Sequence, residues 1–371
     1  MRTAPPLLAL LCSLLSLSLV ASRATASPAF ELPGEHFTWA ELAPVRRSTE
    51  GYGEKYTFNA ELKSDSGETG SLYLSLMITN LGPGDHKMTA KGRVTFGDRS
   101  QKWKYKLSAK KWKSQARPLL IQAGGVTVKE QQGALVLELK HPKVDLSISM
   151  TELARNWQPK GGGLKLGKHI TKVQTLPLTL AQGRVEFKGE QAHSLSVRGK
   201  GWGSHSASDI GPQEQNLWSR MLRAVDLERD QTVYLRTIKT TREYGSRELS
   251  YLIVTQGDQL IFEGTGFDVQ VKDRYVDKKK YGYRVPLSFH INARHVSDPK
   301  VHLSADFKTL KRTRRRDPIA KRSWAEKLII ERFSKPMEYG YDLEYKLNIT
   351  GSRTHSLTGQ AKYEVFHFNK K

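Results

Sequence analysis

Short alternating runs separated by turn residues recur along almost the whole chain, and this pattern confines it to antiparallel β-structure. Tyr56, Phe58, Ala60 and Leu62 alternate with Thr57, Asn59 and Glu61, the period-two signature of a half-buried strand. Trp103, Tyr105 and Leu107 face one way, and Lys102, Lys104 and Lys106 face the other. The stretches 119–121, 126–128, 135–139 and 144–150 continue the series, and nearly every gap holds Gly, Pro, Asp or Asn. Regular short strands with such punctuation indicate an all-β sandwich or barrel.

The second half repeats this grammar. A loop-like cluster, Gly199, Gly201, Trp202, Gly203 and His205, continues through Asp209, Gly211 and Pro212 to the aromatic–basic pair Trp218 and Arg220. Val233, Leu235 and Ile238 then read as strand, Glu243 to Gly245 as a turn, and Leu249, Tyr251, Ile253 and Thr255 as another strand. Linked hairpins with a polar Trp/His loop at one end suggest a barrel with an open mouth, where ligands enter. Two segments break the pattern. Residues 215–227 suit a helical turn or an extended loop. Ser323 and Glu326 form a capping box that predicts a short amphipathic helix over 323–333. Its apolar stripe, Trp324, Leu328, Ile329 and Phe333, is expected to pack on a barrel wall, with a membrane-touching lid as the alternative.

At 371 residues the chain suits two domains. The glycines at 161–163 and 167 form its most flexible-looking interior segment and mark the expected boundary. The expected organisation is a signal peptide over 1–26, a linker and lead-in segment over 27–47, a first barrel over 48–165 and a second over 175–371. Arg2, the apolar run 7–20 and the small residues Ala24 and Ala26 carry the signal reading. Beyond it, no apolar run approaches the roughly 20 residues that a membrane-spanning helix needs. Cys12 is the only cysteine and lies inside the signal, so the mature chain would lack cysteine. That excludes a thiol nucleophile, an iron–sulfur cluster and a Cys-ligated zinc, and it fits a periplasmic or secreted protein. The formal charge is +23. In an exported chain such a charge points to an anionic membrane surface rather than to nucleic acid.

Several residues carry a family likeness. Gly199 to His205 with Pro212 and Trp218, Tyr244 with Gly245, and Asp258 to Gly264 resemble the tandem lipocalin-like (calycin) superfamily. So do the aromatic closing strands around Tyr339, Tyr341, Tyr363 and Phe366. That superfamily includes the AttH-like proteins, the survival-factor proteins and hydroxyneurosporene synthase. The resemblance covers about residues 175–371; the first half matches mainly by strand pattern. It implies two antiparallel lipocalin-like (calycin) β-barrels in tandem. Where relatives often carry an Asp-His-Asn-Trp-Gly block, this chain has Ser204 to Asp209, which puts shared enzymatic chemistry in doubt and leaves ligand binding intact.

A small barrel has room for one small ligand, and an apolar pocket with few polar anchors suits a lipid or isoprenoid. Trp202, His205, Trp218, Tyr251, Tyr283, Phe289 and Tyr341 are the candidate lining residues. For an enzyme acting by hydration, isomerisation or cyclisation, His205 and Asp209, four positions apart, are the candidate acid–base pair. His290 with His295, and His193 with His205, are the imidazoles considered for a metal, but strand alternation alone does not gather three ligands. No metal and no cofactor is therefore expected. The basic run Lys311, Arg312, Arg314, Arg315 and Arg316, with Lys278, Lys279 and Lys280, is the candidate membrane-docking face. Two joined barrels can bury their own cores, so a monomer is expected. Asn348 to Thr350 forms a glycosylation sequon.

Overall fold

The computed structural model describes residues 34–80, 85–189, 192–226 and 228–368; the expected signal peptide and Cys12 lie outside them. The strands are β1 (Gly34–Glu35), β2 (Gly53–Ser64), β3 (Thr69–Asn80), β4 (His86–Phe96), β5 (Arg99–Leu107), β6 (Trp112–Gln115), β7 (Leu120–Ala123) and β8 (Val126–Gln131). They continue with β9 (Ala134–His141), β10 (Val144–Glu152), β11 (Gln158–Pro159), β12 (Gly163–Leu166), β13 (His169–Phe187) and β14 (His193–Ser208). The remainder are β15 (Asn216–Asp226), β16 (Gln231–Thr240), β17 (Glu248–Gln256), β18 (Gln259–Thr265), β19 (Val269–Val276), β20 (Arg284–Arg294), β21 (His302–Arg316), β22 (Met337–Thr350) and β23 (His355–His367). All described pairings are antiparallel, as the alternating pattern implies.

A 12-stranded sheet runs β5-β4-β3-β2-β14-β13-β10-β9-β8-β7-β6, with β12 added onto β13. It curls into a nearly closed barrel. Trp112 Nε1 donates to His86 O at 2.7 Å across the gap between its edges. A nine-stranded sheet runs β18-β17-β16-β15-β23-β22-β21-β20-β19 and forms an open half-barrel. There Val296 N donates to Glu263 O at 2.9 Å, drawing the β20 end toward β18. The fold class is thus two all-β barrels in tandem.

The boundary differs from the expectation. β13 and β14 are hydrogen-bonded into the first sheet, β14 against β2 over Val197–Ser208. The crossover therefore lies between Ser208 and Asn216, well beyond the glycines at 161–167. Of those glycines, Gly161, Gly162 and Gly167 make turns, with positive φ and open space where a side chain would stand, and Gly163 begins β12. The cluster at 199–205 is mid-strand, not a loop. A Cβ on Gly199 would sit 1.9 Å from Glu61 O, so only glycine permits the close approach of β14 to β2. Residues 216–226, left between helical turn and loop, form β15 after a single helical turn at Pro212–Gln215.

Each barrel has its own core. Tyr56, Phe58, Leu74, Leu76, Leu137 and Ile148 belong to the first; Leu222, Leu235, Leu252, Phe289, Phe307 and Tyr363 belong to the second. A third apolar cluster joins them. Trp157, Leu164, Leu166 and Val173 of the first barrel pack with Tyr234, Ile238, Leu249, Tyr251 and Ile253 of the second. The helix Trp324–Phe333 forms with the expected capping box, Glu326 N donating to Ser323 Oγ at 3.3 Å. Its apolar stripe does not pack on a barrel wall. Trp324 and Phe333 are each 75% exposed, and Ile329 is 63% exposed.

Candidate functional site

The strands that face one another across the two barrels build a polar, aromatic seam, a cleft filled by the packed side chains of Trp157, Tyr234 and Tyr251. On β2, Tyr56 and Phe58 turn into the first core, which sends Lys55, Thr57 and Asn59 outward. On β14, His205 and Gly203 pair with Tyr56 and Phe58, which sends Trp202 and Ser204 outward beside Asn59 and Thr57. On β15 and β16, Leu222, Ala224, Val233 and Leu235 fill the second core, so Met221, Arg223, Tyr234 and Arg236 face the first barrel. The Arg223 guanidinium lies 5.9 Å from the Trp202 ring and 5.5 Å from the Tyr234 ring. Trp157 stacks on Tyr251 at 5.0 Å, and Tyr234 lies 5.8 Å from Tyr251.

Polar groups gather in this cleft. Trp157 Nε1, Thr175 Oγ1, Trp202 Nε1, Arg236 Nε and the Tyr251 hydroxyl are buried and lack a well-formed hydrogen bond among the described residues, although the Tyr251 hydroxyl lies beside Thr175 and Tyr234 and the Arg236 guanidinium beside both tyrosines. Buried polar atoms are nearly always satisfied, and this seam gathers enough of them to hold water or an oxygen-bearing guest. Lys55 is exposed to solvent on the face of β2 that looks toward the second barrel. Desolvation, aided by Arg236 and Lys91, lowers its pKa below the ordinary lysine value. Burial pushes the Tyr251 phenol well above its usual value.

His205 and Asp209, proposed as a pair, are not paired. His205 faces the first core, with Nε2 2.6 Å from Glu54 Oε1 and Nδ1 2.7 Å from Gln174 Oε1. Its ring stacks on Tyr56 at 4.1 Å. Neither the His205 nor the Glu54 side chain touches solvent. Glu54 also accepts from the Tyr52 hydroxyl and, at 2.7 Å, from the Tyr56 hydroxyl. Burial pushes the Glu54 carboxyl up, but the bonds from His205 and the tyrosines more than reverse this. Burial lowers the His205 pKa against the pull of Glu54. Asp209 instead lies 3.1 Å from His169 Nδ1 and 3.6 Å from Arg47 Nη1. The Glu54–His205–Gln174 network thus knits the lead-in segment to the barrel end, and a substrate cannot reach it.

The remaining candidates split by location. Trp202 and Tyr251 line the cleft. Trp218, Tyr283, Phe289 and Tyr341 belong to the second barrel. Arg220 lies 3.7 Å over the Trp218 ring, Tyr283 stacks on His367 at 4.2 Å, and Phe289 stacks on Phe307 at 4.8 Å. Burial pushes the Tyr341 phenol up to about 12.

The basic run lies on β21 and is largely occupied. Lys311 pairs with Asp342, Arg314 with Glu364, Arg315 with Asp277 and Arg316 with Glu338. Lys280 pairs with Asp317, and Arg312 lies 5.3 Å from the Tyr275 ring. Lys278 and Lys279 are exposed. His290 Nδ1 bonds Asp306 at 2.9 Å, and His295 Nδ1 accepts from Ser297 N at 3.1 Å. No group of three or more His, Cys, Asp or Glu placed to hold a metal occurs among the described residues. Two surface grooves lie away from the cleft. One of about 780 Å³ is lined by Lys129, Glu138, Ser147 and Gln182, and one of about 340 Å³ by Asn292, His302 and Asn348. Neither is lined by Trp, Tyr or Phe.

No protein-family model matches the chain, and no curated protein matches it. Solved structures do. A Nitrosomonas europaea protein described as an AttH is 10% identical with a TM-score of 0.54, covering 90% of this chain and 97% of its own. CghA, solved with Sch210972, is 9% identical with a TM-score of 0.55, covering 85% and 88%. Kievitone hydratase from Nectria haematococca is 10% identical with a TM-score of 0.51, covering 91% and 98%. The fold is that of these AttH-like tandem barrels, and the likeness extends through both halves.

Sequence reasoning missed Lys55, Trp157, Arg223, Tyr234 and Arg236. A signal was present. Once Leu222 and Leu235 are assigned to a core, the alternation leaves Arg223, Tyr234 and Arg236 together on the opposite face.

Proposed function

We propose that the protein is exported and binds a hydrophobic small molecule, a lipid or isoprenoid with an acidic or carbonyl oxygen, in the cleft between its barrels. The observation that carries this reading is the gathering of Arg223, Arg236 and Lys55 with Trp202, Tyr234 and Tyr251 where the two barrels face each other. Aromatic walls would take the apolar body, and Arg223, Arg236 and Lys55 would take the oxygen. The test is native mass spectrometry of protein purified without detergent, with organic extraction of what accompanies it. A stoichiometric small molecule, lost in Trp202→Ala and Arg236→Ala, is the expected result. A clean protein mass after incubation with total membrane lipid would sink the reading, and an adduct indifferent to both variants would move the ligand elsewhere.

A second reading is an enzyme acting on an isoprenoid or polyketide in the same cleft. Kievitone hydratase and CghA among the fold neighbours favour it, although fold alone does not carry chemistry. In that case Tyr251 would supply a proton and Lys55, with its lowered pKa, would act as base. Tyr251→Phe would then abolish turnover and keep ligand binding.

A further inference from the structure

We propose that the helix Trp324–Phe333 is a membrane-contacting element that seats its apolar face in an anionic lipid surface. The inference goes beyond the ligand reading and does not depend on it. The helix is inside out. Lys327, Ile330 and Glu331 are half-buried, and the Tyr281 hydroxyl donates to Glu331. Trp324, Leu328, Ile329 and Phe333 point away from the protein, at 75%, 51%, 63% and 75% exposure. An amphipathic helix of a globular protein normally turns this face to the core. The capping box at Ser323 and Glu326 and the bond from Ser334 Oγ to Phe368 O at 2.8 Å hold the helix in place, so the exposure is built in.

The charges around the helix name the occupant. Lys278, Lys279, Lys321, Lys327 and Arg332 have no ion-pair partner among the described residues. The nearby acids are each engaged: Glu326, itself exposed, with Ser323 and Arg322, Glu331 with Tyr281, and Asp317 with Lys280. Helical spacing places Arg332 within the apolar arc, where its long stem can lie among acyl chains with the guanidinium at phosphate level. Exposed apolar side chains ringed by free cations match the interface of an anionic bilayer. A second copy of the chain would instead bring the same cations against one another. The basic run on β21 is mostly consumed by ion pairs, so the contact rests on the helix and on Lys278 and Lys279.

The test is co-sedimentation of the purified protein with vesicles of phosphatidylcholine alone and of phosphatidylcholine mixed equally with phosphatidylglycerol. Binding to the anionic vesicles and little to the neutral ones is expected. The Trp324→Ser, Phe333→Ser double variant should lower partitioning about tenfold or more, with an unchanged melting temperature because both side chains are exposed. Paired substitution of Lys279→Gln and Arg332→Gln should lower it too. Wild-type partitioning in the double variant, or equal binding to neutral vesicles, overturns the proposal. So does a vesicle-free dimer in sedimentation equilibrium that the double variant dissolves. Ligand capture measured on the same variant should be intact, which separates this failure from a failure of the cleft.

Discussion

His367 and His205 show how far a local environment can move one side chain. His367 is stacked on Tyr283 at 4.2 Å, and burial, aided by Arg220, pulls its pKa down to about 3. The imidazole is therefore neutral in the folded protein. An unfolded histidine takes up a proton near its ordinary pKa of 6.5. A depressed folded pKa gives a stability contribution that is complete above about pH 6.5 and is lost as pH falls toward about 3. His205, lowered by burial, acts in the same direction. The expected outcome is a loss of stability between pH 7 and pH 5, of which His367 accounts for something on the order of 2 kcal/mol. Urea midpoints of the wild type and His367→Phe at both pH values check this; equal slopes would contradict it.

At the scale of the element, β21 explains why a cationic run can be structural. The strand carries Arg314 and Arg315 past two register shifts against β22, and each guanidinium finds a carboxylate. Arg315 Nε and Nη2 donate to Asp277 at 2.9 and 3.1 Å, and the Tyr339 hydroxyl adds a third bond at 2.7 Å. The Asp277 side chain is shielded from solvent, while Arg315 is 29% exposed. The guanidinium and Tyr339 hold the Asp277 carboxyl below its ordinary value against desolvation. Arg315→Ala strands a shielded carboxylate and should cost on the order of 2–3 kcal/mol, less than a fully buried pair because the arginine reaches water. Arg312→Ala, which breaks no ion pair, should cost well under that. Denaturant titration of the two variants checks the contrast. β17 teaches a related lesson: Leu249 to Thr255 are buried on both faces, because one face fills the second barrel and the other meets the first.

At the scale of the molecule, the two barrels are joined by the third apolar cluster and by polar ties. The Lys200 ammonium pairs with Asp230 at 2.5 Å, and Thr232 Oγ1 donates to Pro177 O at 3.3 Å. Trp157 is the centre of the joint: it is 2% exposed, stacks on Tyr251 and has its indole against Gly34, where a Cβ would lie 1.9 Å from Nε1. Trp157→Ala should cost roughly 3–5 kcal/mol and uncouple the halves. Calorimetry is expected to show one unfolding transition in the wild type and two in the variant. A single transition in the variant would mean that the polar ties suffice to couple the barrels. The cleft shares this joint, so the same variant should also weaken ligand capture.

The all-β tandem class, most strand positions and the capped helix were legible in the sequence, because period-two alternation, turn residues and a capping box are local codes. Trp202 and Tyr251, named from the sequence as ligand candidates, both lie at the seam between the barrels. Pairing was not legible. Whether β13 and β14 close the first barrel or open the second depends on partners such as β2, far away in sequence. His205 was noticed, but its acid, Glu54, is 151 positions distant, so the nearer Asp209 drew the assignment. The helix was foreseen and its direction was not, since amphipathicity defines two faces and only the surrounding contacts decide which one meets protein. The tertiary structure alone decided the cleft, because a strand's outer face becomes a site only when another barrel's outer face stands opposite it.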